Sequence, residues 1–386
     1  MRNDASHNND MSFVSDELKL LDQVVGKYHR VLALDGWLIP QNRSFERKSY
    51  IIHKGSYTPS FVYKKFPEQR GKEILHDINA ILRSIRDKIM ISDDVAVRLL
   101  GGLYVEKLME LRAQLLFLMG TEVDQQLLVL FPVCWADVYG ACEASLGVYY
   151  DTHRDHNDDV TDSISVSVSV SEWKLMAERA LGQLWVVNVP VVIIREGNGW
   201  ARCAVRYLPE PRLELYAKHT ISRTRAEAAI AHEVTHLRRY LAWSIYGLQL
   251  LQRWTAAVLP EEEGGALAAA VQVWQQTWKS HLWLLPSQLL LCASYYAQFH
   301  GWREVCDYLH TLTHGSLSCG KIFSIVARAK RGCHNIEAAG AYPKWRLYWI
   351  GYQQFLQERW DDWLWASFFS YGRVKKRDIA VLEQVL

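Results

Sequence analysis

Residues 212–240 read RLELYAKHTISRTRAEAAIAHEVTHLRRY, and this stretch decides the fold class. Arg212–Tyr216 alternates polar and apolar residues and predicts a strand. From near Ser222 onward, Ala226, Ala228, Ala229 and Ile230 are good helix material and predict a helix. Inside it stand His232, Glu233 and His236, in the pattern His-Glu-x-x-His. A spacing of four puts both imidazoles on one helical face, where they can bind one Zn²⁺ at about 2.0–2.1 Å. Glu233 lies near the open coordination position, where a carboxylate can take a proton from attacking water and pass it to a leaving amine. Three fixed positions in five also arise by chance, and two histidines need a third ligand.

Downstream, Leu259-Pro260-Glu261-Glu262-Glu263-Gly264-Gly265-Ala266-Leu267-Ala268 supplies acids that open an Ala-rich helix after a proline. Acids in a first helical turn are favoured by the macrodipole without any further role. The residues alone leave Glu261, Glu262 and Glu263 open as the third ligand. Gly264 and Gly265 are expected to let this helix approach the histidine pair closely.

Working outward, Leu184–Ile194 and Ala201–Tyr207 read as strands joined by a Gly197-Asn198-Gly199 turn, a hairpin preceding the His-Glu-x-x-His helix. The Ser/Val alternation from Ser163 to Ser171 fits a strand or a linker into a helix beginning near Glu172. Helices are predicted over Asp16–Val31, from the spacing of Leu18, Leu21, Val24, Val25 and Tyr28, and over about 72–91 and 94–119. Asp124–Tyr139 predicts a helix broken at Pro132, and Asp35–Tyr63, with Pro40, Gly55 and Pro59, predicts irregular structure. Residues 1–15 read as a disordered tail. From Ser222 to Leu386 the chain reads as overwhelmingly helical, with no internal repeat.

The 386 residues are 49% hydrophobic and 22% charged, enough for a sizeable core. A net charge of +2 gives no global field to recruit nucleic acid or anionic lipid. Seven irregularly spaced cysteines without a Cys-x-x-Cys exclude a disulfide framework and a cysteine zinc ribbon, and favour a reducing, cytoplasmic location. Met1–Asp10 is polar and does not read as a signal peptide. His281–Trp302 lacks Asp, Glu, Lys and Arg, but Pro286, Gln288, Ser294, Gln298 and His300 argue for a buried core helix, not a membrane insertion. The Asp-rich run 151–162 meets no calcium or zinc spacing and reads as a solvated loop. Arg373–Asp378 is too short a basic run to argue for nucleic acid. His281, His300, His310 and His314 have no paired spacing that competes with His232 and His236.

Between Arg328 and Arg346 five bases (Arg328, Lys330, Arg331, Lys344, Arg346) face one acid, Glu337. Such a cluster can hold an α-carboxylate by bidentate hydrogen bonds, or form a solvated basic face. Tyr348 can stabilise an oxyanion or bind a terminal carboxylate, or pack in the core beside Leu347, Trp349 and Ile350. The candidate substrate-binding residues are therefore Arg328, Arg331, Lys344 and Tyr348.

Over about residues 35–380 the order and spacing of several motifs resemble a known family. They are Pro59-Ser60-Phe61-Val62-Tyr63, Glu110-Leu111-Arg112, Met119-Gly120-Thr121, Val138-Tyr139-Gly140, His232 to Arg239, Glu262-Glu263-Gly264, Arg328 to Gly332, Gly340 to Lys344 with Tyr348, and Tyr371-Gly372-Arg373. The chain resembles the tyrosine carboxypeptidase-like zinc peptidases. These include the microtubule-associated tyrosine carboxypeptidases and bacterial relatives with a Gln-Glu-Gly-Leu-Ala motif, called flavohemoglobin expression-modulating proteins. The resemblance implies His232, His236 and Glu263 as zinc ligands, Glu263 because it directly precedes the glycine, and Glu233 as general base. Two departures stand out. The family usually carries an extra Gly between the Glu and the second His, and Lys344-Trp345 replaces its Lys-Asp.

The expected fold is α+β, mainly α, with a small mid-chain β-sheet and a zincin-like metallopeptidase core. A single catalytic domain is expected over 16–386, with a helical part at 16–150 and the peptidase core at 172–386. The expected activity is that of a cytoplasmic zinc carboxypeptidase acting on a protein or peptide with a free C-terminus, tyrosine by the resemblance. The alternatives are a zinc endopeptidase and a catalytically inactive regulatory binding protein of the same fold.

Overall fold

The computed structural model describes residues 16–29, 31–93, 95–121, 130, 139–140, 142–147, 167–183, 189–194, 202–207, 210–216, 221–242, 259–275, 280–333, 335–342 and 344–357. In chain order its elements are α1 (Asp16–His29), α2 (Leu34–Trp37), α3 (Arg43–Ile52), α4 (Glu68–Met90), α5 (Val95–Leu118), β1 (Ser167–Val168), α6 (Val170–Gln183), β2 (Val191–Ile194), β3 (Arg202–Arg206), β4 (Arg212–Tyr216), β5 (Ile221–Ser222), α7 (Arg223–Ala242), α8 (Leu259–Gln275), α9 (Ser280–Ala297), α10 (Trp302–Leu312), α11 (Cys319–Ala329) and α12 (Lys344–Gln357). It is a mainly helical α+β fold with small sheets in mid-chain. The tail at 1–15, the helix at 124–139 apart from residues 130 and 139, the acidic run 151–162, the glycine turn at 197–199 and the basic run 373–378 lie outside the described residues.

In the N-terminal third, Leu18, Leu21, Val25 and Tyr28 recur every three or four residues and bury one stripe of α1. They join Ile74, Ile78, Ile85 and Ile89 of α4 and Leu100, Tyr104, Leu108 and Leu111 of α5 in one core. Polar groups inside it are paired. The Tyr104 hydroxyl donates to Asp22 Oδ1 at 2.7 Å, and Lys107 Nζ donates to Glu110 Oε1 at 2.8 Å.

Asp35–Tyr63 is not irregular throughout, because α3 occupies its middle. Pro40, Gly55 and Pro59 flank that helix without entering it. Its buried face is Glu46 and Tyr50, so a charged residue stands where an apolar one would have announced the period. Glu46 is satisfied by Asn42 Nδ2 at 2.8 Å, the Tyr57 hydroxyl at 2.8 Å and the Ser60 N–H at 3.0 Å.

The expected hairpin of β2 with β3 does not form. The strand order is β2-β4-β3, with β4 parallel to β2 (Val191↔Leu213) and antiparallel to β3 (Cys203↔Leu215). Leu213 and Leu215 are wholly buried, which suits the central position. They pack on Trp173 and Ala177 of α6 and on Ala226, Ile230, Val234 and Leu237 of α7. On the opposite face Glu214 accepts from Arg206 Nε and Arg212 Nε, each at 2.9 Å. Within the described part of the Ser/Val run, Ser167–Val168 form β1, which pairs with β5 ahead of α7, and α6 begins at Val170.

The remaining helices enclose a second large core. Leu289, Leu290, Leu291, Cys292 and Ala293 of α9 are all buried, on every side of the helix, with Tyr50, Trp302 and Phe323 in the same cluster. Among the described residues no helix is long and apolar enough to cross a membrane. Lys330, expected in the basic cluster, is fully buried, and its ammonium donates to the carbonyls of Ala297, His300 and Ala338, the last at 2.7 Å.

α8 packs between α7 and α12. The close approach allowed by Gly264 is to α12, not to the histidine-bearing α7 as expected. A Cβ there would stand 2.3 Å from Gly351 C and 2.4 Å from Gly351 O, backbone atoms that cannot step aside. Gly264→Ala should therefore cost at least about 1–3 kcal/mol of stability by overpacking. Urea unfolding checks this, and an unchanged midpoint would contradict the backbone contact.

Candidate metal centre

The sheet-facing stripe of α7 is Ala226, Ile230, Val234 and Leu237, and its burial fixes the rotation of the helix. At 100° per residue, His232, His236 and Arg239 then lie on the opposite side, toward α8, while Glu233 borders the sheet-facing stripe. α8 brings Glu262 and Glu263 to the histidines from its first turn.

His232 Nε2 lies 3.3 Å from His236 Nε2, and Glu263 Oε2 lies 3.7 Å and 3.4 Å from them. For bonds of about 2.0–2.1 Å, tetrahedral geometry sets ligand atoms about 3.3–3.4 Å apart. The three atoms thus already stand near the spacing that one small divalent ion requires. The imidazoles are nearly perpendicular, at 83°, with their centroids 4.8 Å apart. Glu263 Oε2 is buried and, among the described residues, makes no hydrogen bond, an expensive state that a cation would relieve. Among the described residues this is the one group of three His, Cys, Asp or Glu side chains with its atoms so gathered.

A second layer stands behind it. Glu262 Oε1 lies 2.8 Å from His236 Nδ1, and the other oxygen of Glu262 receives Arg239 Nη1. Both Glu262 and Arg239 are fully buried. A carboxylate on Nδ1 makes that nitrogen a proton donor, so Nε2 is the ring nitrogen left to bind a metal once its own proton is displaced. Sequence reasoning assigned no such layer. The available signal was Arg239, at the i+7 position from His232 on the ligand-bearing face.

Charge is apportioned unevenly. Burial, together with the charge on His236, lowers the pKa of His232 to about 4. Burial also opposes charge on His236, but Glu263 and Glu262 outweigh it and raise that pKa to about 10. Burial pushes the Glu233 carboxyl upward, and Glu263 adds to the shift, against His236 and the Val205 N–H. That N–H, on β3, donates to Glu233 Oε2 at 2.8 Å. Burial works against ionisation of Glu263, yet its histidine neighbours and Lys344 hold its carboxyl below the ordinary value.

The other candidate residues divide. Lys344 is buried at the start of α12, within electrostatic reach of Glu263. Arg328 and Arg331 stack over the Trp345 ring at 5.8 and 5.2 Å, and Tyr348 meets the same ring at 5.5 Å. The expected basic cluster is therefore an aromatic–guanidinium array without Lys330. Glu261 is only partly buried and, among the described residues, belongs to no group of metal-ligating atoms.

If His232, His236 and Glu263 hold a divalent metal, Glu262→Ala should weaken its affinity about 10–100-fold, because His236 loses the carboxylate that orients it. Chelator competition on the purified variants measures this, and an affinity equal to the parent's would remove Glu262 from the site. Compared with known proteins, the chain matches no family model and no curated protein.

Proposed function

We propose that the chain is a zinc-dependent metallopeptidase, acting in the cytoplasm as a carboxypeptidase on proteins or peptides with a free C-terminus. The observation that carries this reading is the convergence of His232 Nε2, His236 Nε2 and Glu263 Oε2, with Glu233 beside them on the same helix. Two imidazoles and one carboxylate are the donor set of a catalytic zinc, which keeps a fourth position open. When bound, the ion supplies a Lewis acid for a carbonyl and lowers the pKa of water toward about 7.

The chain's own residues do the rest. The Val205 N–H fixes one oxygen of Glu233, leaving the other to accept the proton of the attacking water and return it to the leaving amine. The raised pKa of Glu233 suits a group that must both take and give a proton near neutral pH. Glu262 and Arg239 hold His236 in register. Lys344, on α12, supplies a buried ammonium for the substrate's α-carboxylate, and Tyr348, one turn later, a hydroxyl for the oxyanion or that carboxylate. The arginines on Trp345 extend the positive surface. A tyrosine at the cleaved end rests on the family resemblance alone.

Mass spectrometry of a peptide library incubated with the parent and with Glu233→Gln tests the reading. The parent should release single C-terminal residues. The variant should lose turnover by at least about 100-fold and keep its zinc, because Glu233 is not a ligand. An equally active variant would refute the mechanism. Cleavage of C-terminally amidated peptides at the same rate would replace the carboxypeptidase with an endopeptidase. A purified protein with no bound metal would instead favour the regulatory binding protein.

A further inference from the structure

α4 and α5 form a helical hairpin that packs against α1 through its apolar stripes. A groove of about 610 Å³ runs between α4 and α5. Leu82, Val105 and Met109 give it an apolar lining, and Met109 is 50% exposed. Around them stand Arg83 and Arg86 of α4 and Arg112 of α5, all exposed.

Two features set this groove apart from an ordinary solvated surface. First, none of the three guanidinium groups is paired with a carboxylate among the described residues. Arg83 Nε donates to the Asn79 carbonyl at 3.3 Å and Arg112 Nε to Asn79 Oδ1 at 3.1 Å, so Asn79 splints one arginine from each helix. Their terminal nitrogens are left for a ligand. Second, three bases against the single acid Asp87 concentrate positive charge in one concavity of a chain whose net charge is only +2.

We propose that this groove docks an acidic amphipathic helix of a partner protein. The lining positions recur every three or four residues on both helices, the periodicity into which the ridges of a third helix fit. An apolar stripe on the incoming helix covers Leu82, Val105 and Met109, while flanking carboxylates take the forked donors of the arginines. An extended acidic tail would satisfy the charges and leave the apolar lining wet. A flat anionic bilayer would not reach into the groove. The surface is separate from the metal centre, so its variants leave hydrolysis of short peptides unchanged.

The test uses the full chain and a fluorescein-labelled synthetic helix with leucines at i, i+3 and i+4 spacing flanked by glutamates. Controls are a composition-matched scramble, the same helix with Lys in place of Glu, and phosphatidylserine vesicles. Anisotropy should show saturable binding of the amphipathic acidic helix. Binding should fall by at least about tenfold in the double variant R86E/R112E and in Met109→Asp, with unchanged thermal unfolding. A photo-crosslinker on a leucine position should label α4 or α5. Equal binding of the scramble, indifference to the charge reversals, no saturable binding, or arginine-dependent capture of vesicles alone would each overturn the proposal.

Discussion

Both ring nitrogens of His236 meet carboxylates from the same turn of α8: Nδ1 lies 2.8 Å from Glu262 Oε1, and Nε2 lies 3.4 Å from Glu263 Oε2. Consecutive helical residues diverge by about 100°, so two neighbouring glutamates reach opposite ends of one imidazole only if α8 begins directly against α7. That requirement fixes the start and the rotation of α8. With Glu262 and Glu263 turned to the histidines, Gly264 faces α12, where any side chain would strike the Gly351 backbone. The contact in turn sets α12 close enough for Lys344 to act on Glu263. One imidazole therefore specifies the packing of three helices.

Such a site buries more charge than a core tolerates unaided. Glu262 and Arg239 are both fully buried and are paired with each other. Loss of either partner would leave an uncompensated ion, a change that costs about 3–5 kcal/mol in comparable buried pairs. Glu263 has the first-turn position and the charge of its histidine neighbours in its favour, although its Oε2 makes no hydrogen bond among the described residues. The outer pair is thus matched within the protein, whereas the inner carboxylate is held by its histidine neighbours and Lys344. A metal bound between these side chains would couple its affinity to the packing of α7 against α8, because the candidate ligands come from both helices.

How much of this was legible in the sequence depends on the range of the forces involved. The bounds of α1, α4, α5 and β4, and the spacing of His232 and His236, follow from local periodicity, and the structure has them within a few residues of the expectation. α3 was hidden because one of the two buried members of its stripe is Glu46, whose partners lie up to 14 residues away. Glu262 and Glu263 are indistinguishable by helix-dipole reasoning, and only the crossing of α8 over α7 separates their roles. Gly264 announced a close approach, but local sequence assigned it to the histidine pair, whereas the structure gives it to α12. Strand order was equally closed to local reading: a glycine-rich turn between two apolar runs favours a hairpin, but β4 is the strand with two wholly buried leucines, and it takes the centre.

That difference in strand order bears directly on the candidate chemistry. In a β2-β3-β4 sheet, β3 would be central, and its peptide groups would be consumed by neighbours on both sides. With β4 in the middle, β3 becomes an edge, and an edge strand keeps a row of unpaired N–H and C=O groups. Val205 spends its N–H on Glu233, which lies on α7 beside the sheet-facing stripe. The edge thereby anchors one carboxylate oxygen and leaves the orientation of the other to be set by the helix. A metal-ligating pair on a helix needs only a spacing of four. The proposed proton-transfer role of Glu233 draws, in addition, on a backbone donor from a strand that pairs only with β4 among the described residues.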